Sequence, residues 1–122
     1  MSDGKLVVSE EVFGDIAQQA LYKVEEVTRK KKSGGIGRIF TGRLGSNVTV
    51  KKDDTESSDS PGTVSLDLRL TVAYGVSIPE VAGKVRDAII KDINAITGYD
   101  VERIDITVDK LVRAEDLEKG EQ

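Results

Sequence analysis

The densest chemical signal in this chain is cationic. Arg29, Lys30, Lys31 and Lys32 are consecutive, and Arg38 and Arg43 follow within a glycine-rich stretch. Such a cluster suits the C-terminal end of a helix, where the dipole favours positive charge. It also suits contact with an anion: a phospholipid headgroup, RNA or the acidic face of a protein. Phe40 is the one aromatic residue nearby, so a stacking surface for single-stranded nucleic acid is poorly supported. Ser33 to Gly37 (SGGIG) invites a phosphate-loop reading but lacks both the Lys-Ser/Thr ending and the GxGxxG spacing, and reads as a loop. Asp53, Asp54, Glu56 and Asp59 do not follow EF-hand spacing and have no bidentate Glu at the twelfth position, so they read as a solvated acidic loop. Asp100, Asp105 and Asp109 fit the exposed face of a strand. Tyr74 is expected to pack its ring and hydrogen-bond its hydroxyl at a strand–helix junction.

The residue inventory narrows the chemistry further. The chain of 122 residues has no His and no Cys, which removes the commonest general base, the commonest zinc ligands, thiol nucleophiles and disulfides. Hydrolysis would need carboxylates, lysine or a hard metal. The residues imply no cofactor and no metal site, and the reading is a protein that is not an enzyme. Charged residues make up 33% of the chain, and no apolar run approaches the roughly 20 residues that cross a bilayer. The opening MSDGKLVV lacks the apolar stretch and cleavage site of a secretory signal. Net charge is −4 but unevenly placed: residues 1–22 sum to −3, residues 23–52 to +7 and residues 53–122 to −8. A polarised surface follows, suited to self-association or to an anionic partner.

The elements that must carry these residues are read from periodicity. Val64, Leu66, Leu68, Leu70 and Val72 alternate with polar residues, which predicts a strand with one buried face. Past Gly75 the period changes. Ile78, Val81, Ala82, Val85, Ala88, Ile89, Ile93 and Ile96 predict an amphipathic helix, with Ser77 as N-cap, Pro79 in the first turn, Val76 and Val81 as a staple, and Gly98 as C-terminal cap. An earlier helix is expected over 10–27, with Val12, Phe13, Ile16, Ala17, Ala20, Val24 and Val27 as its stripe and Gly14 at a close helix–sheet contact. A brief strand or lead-in is expected at 5–8, a strand at 46–52 and a last strand at 99–111, irregular between 101 and 104. The fold class is therefore α+β: a two-layer sandwich of about four strands in the order β-α-β-β-α-β, with two helices on one face. The nearest simple topology is the split β-α-β. One domain spans 1–112, with a basic glycine-rich loop at 28–45, an acidic flexible loop at 53–62, and a charged tail at 113–122.

Three fragments in order, VSEEVFGDIAQQA, LDLRLTVAYGVSIPEVAGKVRDAI and ITGYDVERIDITV, resemble the bacterial alkaline shock protein family, also described as Gls-type envelope stress proteins. Tyr74-Gly75 before the second helix and Thr97-Gly98 after it are the most specific parts. The resemblance covers about residues 4–111 and departs in two places: VEEVTRKKKSGG replaces the usual Pro-Gly-Val-like turn, and Arg86 replaces a usual glutamine. It implies a small cytoplasmic bacterial protein with no established catalytic activity, linked to envelope homeostasis and alkaline or general stress. Some members self-associate, and some reach the inner membrane surface through a membrane-anchored protein partner. The function so implied is a noncatalytic, oligomerising scaffold or adaptor. The alternative is a small RNA- or anion-binding module using the 29–43 cations. An enzyme subunit or metabolic regulator is the least supported reading.

Overall fold

The computed structural model describes residues 6–31, 39–40, 47–54, 60–75 and 77–112. Its elements run α1 (Glu10–Lys31), β1 (Ile39–Phe40), β2 (Asn47–Asp53), β3 (Thr63–Ala73), α2 (Ile78–Thr97) and β4 (Asp100–Val112).

β3 is the centre. Its alternation places Val64, Leu66, Leu68, Leu70 and Val72 on one face, each at most 2% exposed. Both of its edges are paired. β4 lies parallel along one, and β2 and β1 lie antiparallel along the other, with Asn47 opposite Arg69 and Phe40 opposite Thr71. The four strand segments therefore make three rows, with β1 and β2 sharing an edge. Phe13, Ile16, Ala17, Ala20, Leu21 and Val24 of α1 and Val81, Val85, Ile89 and Ile93 of α2 close over the inner face in a single hydrophobic cluster. The two helices also pack against each other, α1 over β2 and α2 over β4.

The α+β class with two helices on one sheet face holds, but the expected order does not. Residues 6–9 form no strand, and the first strand follows the first helix. Both edges of β3 are occupied, so this lead-in has no place beside the central strand, and Leu6 and Val7 stand more than half exposed. β3 and β4 are direct neighbours joined through α2, so the unit is a plain β-α-β rather than a split one. α1 also runs a turn beyond the expected 27, because Arg and Lys are good helix formers and cations suit the C-terminal dipole. Part of the expected 28–45 loop is thus helix, and Ile39–Phe40 is strand.

Local signals fix the second half. The Ser77 hydroxyl accepts from the Glu80 N–H at 3.4 Å, and Gly98, at φ 81°, donates its N–H to the Asn94 carbonyl at 2.9 Å. That left-handed conformation is one glycine adopts without steric cost. Val76 of the expected staple lies outside the described residues. The irregularity expected between 101 and 104 is a register shift that leaves Glu102 unpaired, and a second shift does the same at Asp109. Ile78, Ile96 and Val12, expected in the helical stripes, are 38%, 66% and 40% exposed, since helix ends and flanks overhang the three-row sheet.

Candidate functional site: an interaction surface

The predicted cations divide. Arg29, Lys30 and Lys31 belong to the last turn of α1, while Lys32, Arg38 and Arg43 lie outside the described residues, as does the 33–37 loop. No described site gathers the six. The aspartates of the last strand are spread along β4. The Arg103 Nε donates to Asp105 at 2.9 Å, Arg69 stands 3.8 Å from Asp109, and the Asn94 amide donates to Asp100 at 3.3 Å. Glu56 and Asp59 of the acidic stretch lie outside the described residues, and Asp53 closes β2.

Tyr74 does not pack as expected: it is 67% exposed in the turn after β3. The tyrosine that packs is Tyr99, fully buried between α2 and β4. Its hydroxyl donates to the Asp54 Oδ1 at 2.6 Å, and the other carboxylate oxygen of Asp54 takes the Lys52 ammonium at 2.9 Å. The Val8 backbone amide faces the phenol and acts to lower its pKa, against the two larger effects, burial and the bond to Asp54. The ring meets Phe13 edge-on, centroids 4.9 Å apart. One side chain therefore ties the lead-in to α1, the end of β2 and the α2–β4 junction. Burial pushes the Tyr99 phenol above its ordinary pKa, and the bond to Asp54 adds to the shift. The hydrogen bond to Asp54 raises Lys52 in turn. Gly62 makes room for this knot: a Cβ there would lie 2.2 Å from the Asp53 carbonyl oxygen and 2.9 Å from the Tyr99 ring. The Asp100 N–H donates to the Gly62 carbonyl at 3.1 Å.

The outer face of the sheet is the exposed functional candidate. Alternation and register set its rows: Lys51, Ser65 and Arg103 in one, Thr49, Asp67 and Asp105 in the next, and Asn47, Arg69 and Thr107 in the third. Among the described residues no element packs over these rows. Lys51, Asp67, Arg69, Arg103, Asp105 and Thr107 are exposed. A trough of about 400 Å³ crosses the first two rows, with Lys51 and Arg103 set against Asp67 and Asp105. Both signs stand within one strand spacing, an arrangement that complements another mixed-charge surface better than a single anion.

A family model of the alkaline shock protein type, with a cell envelope-related function, matches residues 1–113. The chain belongs to the alkaline shock protein family. The match takes in every element of the sandwich, from α1 to β4. In this alkaline shock protein, no helix among the described residues is long and apolar enough to cross a membrane. Sequence reasoning missed the Tyr99 knot because its members are 45 residues apart in sequence and no local pattern joins them. The one available signal was a tyrosine directly after a capping glycine, where the chain must turn back onto the sheet.

Proposed function

We propose that this alkaline shock protein is a noncatalytic scaffold or adaptor. It acts by protein–protein contacts close to the inner face of the membrane, which it reaches through a membrane-anchored partner, and it self-associates. The family's cell envelope-related function supports the setting. The observation that carries the contact mode is the uncovered outer face of β2, β3 and β4, with cations and carboxylates alternating across adjacent rows. Such a face gains orientation from charge and little affinity from any single exposed pair.

Light scattering coupled to size exclusion tests this reading at low and high salt. A self-associating protein runs above its monomer mass, and the combined Arg69→Glu and Arg103→Glu variant returns it to monomer. A monomer at every salt and working concentration refutes self-association. Affinity capture from a membrane fraction then tests the adaptor role. Capture of the same membrane-anchored protein by wild type and not by the double variant is expected. Salt-steep binding of RNA, lost when Lys30–Lys32 are neutralised, would instead support the anion-binding alternative.

A further inference from the structure

We propose that the groove between α1 and the outer edge of β2 docks an extended, lysine- or arginine-bearing segment of a partner protein as an added strand. The inference rests on the adaptor reading and gives it a second contact surface beside the outer sheet face. The groove measures about 510 Å³ and runs along residues 47–50 of β2 beneath the first half of α1. Among the described residues β2 pairs with β3 alone, and along 47–50 the backbone of its other edge faces this groove.

Three observations define what fits there. First, the helix wall is acidic: Glu10, Glu11 and Asp15 line it, and no described cation does. Glu11 and Asp15 are one helical turn apart, about 6 Å along the axis, while alternate side chains of a strand recur at about 6.6 Å. Cations at every second position of an added strand therefore match the two carboxylates in pitch.

Second, Gln18 continues the same stripe, and its side-chain carbonyl oxygen is buried without a hydrogen-bond donor. Turning the terminal amide about its soft last torsion presents that oxygen to a donor from the incoming segment.

Third, the sequence expectation for Gly14 fails here. A Cβ at Gly14 meets nothing within 4 Å, so no close helix–sheet contact requires the glycine, and it leaves the groove open at its centre. The cations that end α1, Arg29, Lys30 and Lys31, are helical rather than extended and do not suit the role. The acidic wall calls for a cationic segment, and the occupant assigned to it is a partner's.

The test uses the full chain and a capped hexapeptide, TKVKVT. A control peptide carries N-methyl groups on both lysines and both valines, with equal charge and no inner backbone N–H left to pair on either side. The proposal expects saturable binding of the first peptide alone, with slowed amide exchange within residues 47–50. Gly14→Leu, which fills open space, retains the fold by circular dichroism and abolishes binding. Asp15→Lys weakens binding about tenfold, and it carries the test should Gly14→Leu fail to fold. Equal binding of the N-methylated peptide overturns the proposal, as does binding that survives both substitutions. A wild-type dimer that Gly14→Leu converts to monomer also overturns it, because the occupant is then a second copy. A membrane partner captured equally by wild type and by both groove variants overturns the groove while leaving the adaptor reading standing.

Discussion

Replacing Tyr99 by Phe removes one oxygen atom and leaves the ring against Phe13. The lost oxygen donates to Asp54 at 2.6 Å. Hydrogen bonds to charged groups contribute about 1.5–3 kcal/mol. Two features hold the figure down: the Asp54 side chain is 34% exposed, so water reaches the freed carboxylate oxygen, and Lys52 keeps its ion pair. The net loss is set at about 2 kcal/mol, a fall in Tm of about 8 °C for a domain of this size. Urea unfolding of wild type, Tyr99→Phe, Asp54→Asn and the double variant gives the coupling between the two side chains, expected at about 1 kcal/mol or more. A Tyr99→Phe variant within about 0.5 kcal/mol of wild type, together with zero coupling, would refute the view that this knot fastens α1 to the far end of the sheet.

Gly62→Ala forces a methyl to within 2.2 Å of the Asp53 carbonyl oxygen and 2.9 Å of the Tyr99 ring, and should destabilise by about 3 kcal/mol in the same assay. Gly14→Ala, with open space at its Cβ, should instead stabilise by about 1 kcal/mol through helix propensity, read as a higher midpoint in urea. Alkaline pH should loosen the Tyr99 knot. Tyr99 and Lys52 both hold their protons more tightly when folded, so their contributions are complete below the ordinary values of 10.0 and 10.5 and fade as pH rises through the raised ones. Thermal melts between about pH 8 and 12 should show wild-type Tm falling at the alkaline end, with a shallower fall in Tyr99→Phe.

Local order was written in local sequence. The β3 alternation, the Ser77 cap, the Gly98 stop and the bulge at Glu102 each depend on residues a few positions apart, and each stands where the pattern placed it. Periodicity also determined which face of β3 is buried and that the opposite face of the sheet is polar, since side chains alternate across a strand whatever its neighbours. Which strand lies beside which was not fixed that way. Residues 6–9 carry the same apolar character as a short strand, yet β3 has only two edges, and β1, β2 and β4 take them. Tertiary packing likewise exchanged the roles of two tyrosines: Tyr74 follows the last paired residue of β3 and points into solvent, whereas Tyr99 is drawn in because Asp54, Val8 and Phe13 converge on it. The groove beside Gly14 belongs to the same class. A glycine's sequence context is identical whether a side chain would clash or meet open space, and only the distance between helix and strand decides between them.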